Sequence, residues 1–422
     1  MITNTDLQQR KQRVIARGMG NLTPVYIERG CNAELWDVQG KRYIDFGSGI
    51  AVNNTGHSHE KIIHAVKQQL DKFSHSCIMV TPYASAVELA EKLVEIAPGE
   101  SDKKAIFVST GAEAVENCIK IARAHTKRRG IVAFNGGFHG RTNMTMGLTG
   151  KITPYKHLFG PFPNDIYHVP YPVSYHGVSG KQSLQALETL FKTCIGAEDI
   201  AAIIIEPIQG EGGFYAAPTD FLLALRNICN KYGIVLIADE IQTGFGRTGH
   251  MFNFERHNIE PDLITMAKGI AGGFPLAAVV GKTEIMDAPL PGGLGGTYAG
   301  SPMACIAALE VLKILEDENL INRATQIGQR FSQKLEQIQK TDNSIGDIRV
   351  HGAMIAIELV KNGDVNKPDV QRTSSLVQQA HKSGLILLSC GIRSNVIRFL
   401  PPLTISDKTI DEGLEILQSI MT

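Results

Sequence analysis

Between about residues 100 and 282 the chain alternates short apolar runs with amphipathic segments. This alternation predicts βαβ units around a mostly parallel sheet, because continuous apolar runs suit strands that are buried on both faces. The predicted strands are 105–109, 131–134, 202–206, 234–239, 263–267 and 277–281. Segments 112–126 and 219–231 carry apolar residues on one face at helical spacing, so we predict helices there.

The alternation stops after about residue 316, and the remaining chain predicts a smaller α+β unit. We predict a long charged helix, then strands at 347–349 and 353–359, and then a helix at 374–383. Strands at 385–389 and 396–400 and a terminal helix follow. Near the N-terminus, 34–38 and 42–45 flank a Gln39-Gly40 turn, which is typical of a hairpin. We expect this hairpin to pack with the C-terminal part.

The charge and cysteine content narrow the expected partners to small molecules. Lys plus Arg and Asp plus Glu each total 42, so no excess positive charge attracts nucleic acid or an anionic membrane. The seven cysteines contain no C-x-x-C pair, which argues against a disulfide framework or a zinc site and favours a reducing cytoplasm. No apolar signal segment opens the chain, and no stretch reaches the ~18 apolar residues of a membrane span.

Two motifs resemble ligand sites but lack the surroundings that such sites need. Residues 244–249, GFGRTG, match the dinucleotide-binding pattern G-x-G-x-x-G, yet no apolar-periodic helix follows them. His59 and His64 lie five residues apart, about 140° around a helix, where a zinc protease needs four. We therefore predict that His57, His59 and His64 are solvated histidines at a helix start, and we expect no metal.

A candidate anion-binding site lies at residues 109–113, STGAE, where an apolar strand turns through Gly111 into a helix. Backbone N–H groups and the positive end of a helix dipole suit a phosphate there. The alternative is a capping box, in which Thr110 and Glu113 satisfy the first amides of the helix. The segment alone leaves both interpretations open.

An acid and a lysine at the ends of two other apolar strands support the phosphate interpretation. The run 234–240, IVLIADE, ends on Asp239 and Glu240, at the edge where α/β sheets bind ligands. The run 263–268, LITMAK, ends on Lys268 among glycines. Burial lowers the pKa of a lysine, and a lowered pKa favours Schiff-base chemistry. A lysine, an acid for a ring nitrogen and a phosphate seat are what pyridoxal 5'-phosphate requires.

Taken together, these segments resemble the class III, or ω-amino acid, aminotransferases, which are fold-type I pyridoxal-phosphate enzymes. The likeness spans nearly the whole chain through WDVQGKRYID, TGAEAVEN, FHGR, EPIQGEG, DEIQTGFGRTG, Lys268 and GGT at 295–297. The resemblance implies a large α/β cofactor-binding domain at 60–315 and a small α+β domain formed by 1–59 and 316–422. It also implies a homodimer with shared active sites, and it leaves open whether dimers pair further.

The resemblance also assigns cofactor roles. It implies that Lys268 carries the cofactor as a Schiff base and moves the proton, and that Asp239 faces the pyridine nitrogen. The other implied cofactor contacts are Gly111, Ala112, Phe138, His139, Ile241, Gln242 and Thr297, the last reaching across from the partner subunit. Many relatives have a serine in place of Ala112, so here a backbone amide must serve without that hydroxyl.

Substrate contacts follow from the same resemblance, which is strongest to enzymes acting on 4-aminobutyrate with 2-oxoglutarate. Arg141 is expected to bind the distal carboxylate, and Arg398 the α-carboxylate of the keto acid. Glu211 is expected to neutralise Arg398 when the donor has no α-carboxylate, and Ile50 and Glu206 complete the set. Acetylornithine, ornithine or 5-aminovalerate aminotransferase remain alternatives, as do a NAD-dependent dehydrogenase and a non-catalytic relative.

Overall fold

In the computed structural model, which describes residues 2–421, the elements follow one another along the chain as below. The strands are β1 (Ile27–Cys31), β2 (Glu34–Asp37), β3 (Arg42–Asp45), β4 (Lys103–Val108), β5 (Gly130–Phe134), β6 (Ile166–Val169), β7 (Ile200–Ile205), β8 (Ile208–Gln209), β9 (Tyr215–Ala216), β10 (Val235–Asp239), β11 (Leu263–Met266), β12 (Ala277–Lys282), β13 (Ile345–His351), β14 (Met354–Leu359), β15 (Leu385–Ile386), β16 (Leu388–Cys390) and β17 (Val396–Phe399). The helices are α1 (Asn4–Val14), α2 (Ser48–Ala51), α3 (Glu60–Leu70), α4 (Ala84–Ile96), α5 (Gly111–Thr126), α6 (Asn143–Leu148), α7 (Gly180–Thr193), α8 (Thr219–Tyr232), α9 (Thr283–Met286), α10 (Pro302–Asp317), α11 (Leu320–Gln339), α12 (Val370–Lys382) and α13 (Asp407–Met421).

A seven-stranded sheet with the order β4-β12-β11-β10-β7-β5-β6 forms the centre of the molecule. Strands β11, β10, β7, β5 and β6 pair in parallel, while β12 is antiparallel to both of its neighbours. The prediction of a mostly parallel α/β sheet is therefore confirmed. Each of the six predicted strands is found, shifted by at most a few residues. Strand β6 was not predicted, because it is a half-buried edge strand and its sequence, IYHV, is less apolar.

Of two further four-stranded sheets, one joins the N- and C-terminal parts of the chain. Strands β13, β14, β17 and β16 form an antiparallel sheet, and the predicted hairpin of β2 and β3 pairs with β1 and β15. Because β15 lies parallel to β3, the N-terminal hairpin packs against the C-terminal part, as expected. The predicted strand 385–389 was wrong in one respect. It divides at the buried Leu387 into β15 and β16, which belong to different sheets, and an apolar run gives no sign of such a switch.

The prediction of solvated histidines was partly wrong. His64 is exposed on α3, but the side chains of His57 and His59 are only 18% and 16% exposed. His57 Nε2 lies 2.7 Å from Asp45, and His59 Nε2 lies 3.3 Å from Glu318. The partner of His59 lies 259 residues away in sequence and that of His57 lies 12 residues away at the end of β3, so the spacing of the histidines shows neither pairing. Within residues 2–421 no group of three or more His, Cys, Asp or Glu side chains could hold a metal ion.

All seven cysteines are free in the structure. Across residues 2–421, no helix has both the length and the apolar character that crossing a membrane requires.

The run 244–249 that matches the dinucleotide pattern forms turns instead of opening a helix. Its Arg247 is fully buried, and the guanidinium donates to the carbonyls of Ala353 and Pro401 and to Oδ1 of Asn54. Burial lowers the pKa of Arg247 to about 9. These three acceptors come from segments far apart in sequence, so Arg247 fixes the loop after β10 to the N- and C-terminal parts of the chain.

We expect Arg247→Met to lower the free energy of unfolding by ~3 kcal/mol or more, because it leaves three buried acceptors without a donor. The midpoint of urea unfolding measures this loss. Arg256→Met is the matched control, since Arg256 is exposed in the same region and its removal is expected to change stability by less than ~0.5 kcal/mol. Equal midpoints for the two variants would contradict the anchoring role.

Candidate active site

A cavity of about 390 Å³ opens at the carboxyl edge of the seven-stranded sheet. Asp239 ends β10 there, and Lys268 follows β11 by two residues. Strand β4 delivers the start of α5 to the same edge, because two successive antiparallel pairings through β12 restore its direction. Of the residues predicted for the site, those that line this cavity are Gly111, Ala112, Phe138, His139, Glu206, Glu211, Asp239, Ile241, Gln242 and Lys268.

The start of α5 satisfies both interpretations that the sequence left open. A capping box is present: Thr110 Oγ1 accepts from the Glu113 amide at 3.3 Å, and the Glu113 carboxylate accepts from the amides of Ser109 and Thr110. Within residues 2–421 the amides of Gly111 and Ala112 have no protein acceptor, and both residues line the cavity. The cap therefore orders the helix end while two N–H groups stay free for an anion.

Gly111 also fits closely against the opposite wall of the cavity. A Cβ atom added there would lie 2.9 Å from Cδ1 of Ile241, so a larger residue would force Ile241 to move. Glycine at this position thus keeps the cavity narrow between α5 and the loop after β10.

Asp239 is held rigidly at the floor of the cavity. It is 3% exposed; its Oδ2 lies 2.7 Å from Nδ1 of His139, and its Oδ1 accepts from Thr265 Oγ1 at 3.0 Å and from the Ile241 amide. Burial alone would lower the pKa of His139, but the hydrogen bond and charge of Asp239 raise it above its ordinary value. His139 therefore orients the carboxylate and supports its negative charge.

Glu206 is a second buried acid at the cavity wall. Its carboxylate accepts from the amides of Phe138 at 2.8 Å and Gly210 at 2.9 Å, and burial raises its pKa to about 7. Both oxygens are thus used to join two loops. A role of Glu206 in substrate binding stays a prediction.

Lys268 stands where β11 ends, with a φ of 49° that places its backbone in the left-handed region. Burial lowers the pKa of its amine to about 8, despite the nearby Glu211 carboxylate, which acts in the opposite direction. Its Nζ has no hydrogen-bond acceptor within residues 2–421. A desolvated amine of this kind is a nucleophile near neutral pH.

Arg398 and Glu211 form a buried ion pair on the other side of the cavity. Arg398, on β17, is 3% exposed and donates through Nη1 to Glu211 Oε1. Burial alone would raise the pKa of Glu211, but the Arg398 guanidinium lowers it below its ordinary value. The Nε of Arg398 is buried and has no acceptor within residues 2–421, so the guanidinium keeps capacity for a second anion.

Sequence reasoning missed Tyr155. Its hydroxyl donates to Glu211 Oε2 at 2.9 Å, and its ring lies 4.8 Å from the guanidinium of Arg141 and 4.9 Å from the ring of Phe138. The segment around it, KITPYKHLFG at 151–160, has no regular apolar period. Nothing in the sequence alone separates this tyrosine from an ordinary loop residue.

Four predicted residues lie outside the cavity lining: Arg398, which is buried and paired with Glu211, and three that are exposed. Arg141 is exposed and stacks on Tyr155, Ile50 is 39% exposed with a φ of 69°, and Thr297 is exposed in the loop before α10. The single chain therefore does not bring Thr297 to its own cavity. Its contribution to a partner's site stays a prediction.

The cavity has the polar groups that a phosphorylated pyridine aldehyde needs. Gln242 Oε1 is buried without a hydrogen-bond donor within residues 2–421, so it can accept from a ring hydroxyl. Asp239 offers a carboxylate, Lys268 an amine, and the start of α5 two free amides. This set of polar groups fits pyridoxal 5'-phosphate.

Comparison with known proteins agrees with this geometry. The family model "Aminotransferase class-III" matches residues 14–421. The chain belongs to the class III aminotransferases. Enzymes of this family use pyridoxal 5'-phosphate, so this aminotransferase does too.

Several relatives resemble this aminotransferase over its whole length. It is 52% identical over 417 residues to the 4-aminobutyrate aminotransferase of Escherichia coli, and this match covers 99% of this chain and 98% of the relative. It is also 52% identical over 415 residues to the 5-aminovalerate aminotransferase of Pseudomonas aeruginosa, covering 98% and 97%.

Solved structures give the same family. A transaminase from the marine bacterium Virgibacillus superposes with a TM-score of 0.92 at 30% identity, covering 98% of each chain. The ornithine aminotransferase of Toxoplasma gondii, described with partial occupancy of PLP at its active site, superposes with a TM-score of 0.86 at 28% identity, covering 99% of this chain and 94% of that one. The fold prediction of a fold-type I aminotransferase is confirmed.

We expect Asp239→Asn in this aminotransferase to slow turnover by at least about 100-fold, because an amide cannot carry the negative charge that a protonated ring nitrogen requires. Single-turnover kinetics on cofactor-saturated enzyme measure the effect. Glu240→Gln is the matched control: Glu240 is equally buried but bonds to Thr243 and the Phe254 amide outside the cavity lining. Wild-type turnover in Asp239→Asn would make this acid structural.

Proposed function

We propose that this aminotransferase transfers the amino group of 4-aminobutyrate to 2-oxoglutarate, giving succinate semialdehyde and glutamate. The observation that carries the proposal is the buried Arg398–Glu211 pair, with Tyr155 joining it to Arg141. The two guanidinium groups then bind two different substrate carboxylates, and one guanidinium, that of Arg398, is paired with the protein's own Glu211 until its substrate arrives. The 52% identity to the Escherichia coli 4-aminobutyrate enzyme supports the same substrate.

The cofactor is held by residues that converge on the cavity. Lys268 would hold it through Nζ, Asp239 would pair with the pyridine nitrogen, and Gln242 would accept from the ring hydroxyl. Phe138 and Ile241 would contact the two faces of the ring, with His139 behind Asp239. Gly111 and Ala112, together with Thr297 from the partner subunit, would bind the phosphate. When bound, pyridoxal phosphate supplies an electron sink for the electrons of a broken C–H bond.

The chain's own residues then supply the acid–base and charge contributions. Once the substrate amine has taken its place on the cofactor, the free Lys268 Nζ would take the proton from the carbon that bears the amino group and pass it on to the cofactor. A pKa of about 8 suits a base that works near neutral pH. Asp239, fixed by His139 and Thr265, keeps a negative charge where the ring nitrogen lies. Positioning both groups before substrate arrives reduces the entropic cost of the reaction.

Substrate selection rests on the two arginines. Arg141, stacked on Tyr155, binds the carboxylate of 4-aminobutyrate, and Ile50 contributes an apolar contact at the same end. Arg398 binds the α-carboxylate of 2-oxoglutarate after Glu211 moves away. For 4-aminobutyrate, which has no α-carboxylate, Glu211 stays paired with Arg398 so that no buried charge is left uncompensated.

A second donor, 5-aminovalerate, is favoured by the 52% identity to the Pseudomonas aeruginosa enzyme. It has the same terminal groups as 4-aminobutyrate with one more methylene, so Arg141 binds its single carboxylate in the same way while Glu211 stays paired with Arg398. A donor panel with 2-oxoglutarate as acceptor decides between them. The panel contains 4-aminobutyrate, 5-aminovalerate, ornithine and acetylornithine, and glutamate formation is followed.

We also propose a homodimer with shared active sites. Large apolar side chains near the loop of Thr297 are exposed on the single chain, among them Met79 at 56%, Leu290 at 83% and Tyr298 at 69%. Met79 and Tyr298 belong to one surface, since Tyr298 stacks on His75 and Met79 closely approaches Gly295. A second copy covering this surface would remove the apolar area from water. Pairing of dimers, the cytoplasmic location and the division into domains stay predictions.

We expect Lys268→Ala to abolish turnover with the fold intact, because no other amine lies in the cavity lining of the described chain. Residual activity is measured at saturating 4-aminobutyrate, and circular dichroism checks the fold. Lys192→Ala, at an exposed position near the end of α7, is the control expected to keep wild-type activity. Activity above a few per cent in Lys268→Ala would contradict the assignment.

We expect Arg141→Lys to raise KM for 4-aminobutyrate about 10- to 100-fold, because an ammonium cannot reproduce a two-point contact with a carboxylate. Arg398→Lys should instead impair the 2-oxoglutarate half-reaction more. Glu211→Ala should penalise 4-aminobutyrate and spare donors with an α-carboxylate. Each half-reaction is followed separately by cofactor absorbance, and equal losses in both halves for all three variants would show that these residues do not sort substrates.

A further inference from the structure

Tyr155 is buried in the segment 151–160, whose other large apolar side chains are exposed. It is 9% exposed, whereas Ile152, Leu158 and Phe159 are 66%, 88% and 59% exposed. The segment lies between α6 and β6 and has no regular secondary structure that would fix it. Tyr155, together with hydrogen bonds from Lys151 and Lys156 to backbone carbonyls, anchors this loop at the active site.

The contacts of Tyr155 reach both carboxylate-binding arginines. The Tyr155 hydroxyl donates to Oε2 of Glu211, while Arg398 donates to Oε1 of the same carboxylate. The Tyr155 ring lies 4.8 Å from the guanidinium of Arg141, a distance at which a cation is attracted to the ring face. One side chain thus touches Arg141 directly and touches the partner of Arg398.

The geometry points to Tyr155 as a positioning residue that sets how readily Glu211 releases Arg398, an inference that rests on the proposed function. The hydroxyl is a neutral donor to a carboxylate, so it stabilises the arrangement in which Glu211 is paired. An α-carboxylate that enters must displace Glu211 from Arg398 and therefore competes against this bond as well as against the ion pair. A donor that lacks an α-carboxylate meets no such competition.

The two parts of Tyr155 can be separated by substitution. Tyr155→Phe removes the hydroxyl and keeps the ring against Arg141. Ligands with an α-carboxylate should then bind more tightly, by roughly tenfold, which corresponds to one hydrogen bond to a charged group. Ligands without one should bind as before. Tyr155→Leu also removes the ring, and should in addition weaken binding of ligands that use Arg141.

A matched ligand pair tests this directly on the cofactor-loaded enzyme. Glutarate is 2-oxoglutarate without its keto oxygen, and butyrate is 4-aminobutyrate without its amine, so neither reacts. Calorimetry gives their Kd values for the wild type, Tyr155→Phe, Glu211→Gln and the double variant. We expect Tyr155→Phe to lower the Kd of glutarate about tenfold and to leave that of butyrate within about twofold. In the Glu211→Gln background, Tyr155→Phe should add little, because the charged acceptor of its hydroxyl is gone.

The half-reactions provide a second measurement. In Tyr155→Phe, kcat/KM should shift in favour of glutamate and 2-oxoglutarate relative to 4-aminobutyrate by about the same factor. A thermal unfolding midpoint near that of the wild type confirms that the fold is kept. A purely structural role would change both ligands and both half-reactions together.

An unchanged Kd of glutarate in Tyr155→Phe, or equal shifts for glutarate and butyrate, would overturn the inference. Failure of the proposed function gives a different result. If the wild type does not use 4-aminobutyrate but glutarate still tightens in Tyr155→Phe, only the donor assignment is lost. If the wild type uses 4-aminobutyrate and glutarate is unaffected, only the role of Tyr155 is lost.

Discussion

The active site depends on mutual compensation of buried charges. Lys268, Asp239, Glu206, Glu211 and Arg398 lie in or beside one cavity, where an unpaired charge costs several kcal/mol by a rough estimate. Four of the five are compensated: Asp239 by His139, Glu211 and Arg398 by each other with Tyr155 donating to Glu211, and Glu206 by two backbone amides. Lys268 is left without a hydrogen-bond partner among residues 2–421, and burial lowers its pKa to about 8. The reactive amine is therefore the group that the surrounding network does not satisfy.

Strand direction explains why these groups meet. The carboxyl ends of β10 and β11 share one edge because the strands are parallel, and β12 allows β4 to end at that edge too. The phosphate seat, the acid and the lysine are then contributed by segments up to about 160 residues apart in sequence without any long loop. Arg247 adds the contacts that fix this edge to the turn before β14 and to the chain after β17. If the carboxyl ends of these strands did not lie at one edge of the sheet, the same residues could not meet in one cavity.

The sequence was informative where chemistry coincides with a strand end. Asp239 and Lys268 each end an apolar run, so their positions in the fold followed from periodicity, and Gly111 followed from the strand-to-helix turn. Contacts made by residues in irregular segments could not be predicted: His57 with Asp45 at the end of β3, and Tyr155 with Glu211. The split of 385–389 into β15 and β16 was hidden because Leu387 stays buried through the turn. Periodicity reports burial, and it does not report which distant segment provides it.

The arrangement around Glu211 links the proposed substrate specificity to the same requirement that buried charges be paired. A site that used Arg398 alone would leave a buried cation exposed to the cavity whenever the donor has no α-carboxylate. An internal carboxylate removes that cost, but it also competes with the keto acid, so its hold on Arg398 must be strong enough to pair and weak enough to yield. Tyr155 sits where this balance is decided, since its hydroxyl shares the Glu211 carboxylate and its ring supports Arg141. Under the proposed function, recognition of two different substrates in one cavity would depend on how Arg398, Glu211 and Tyr155 share one negative charge.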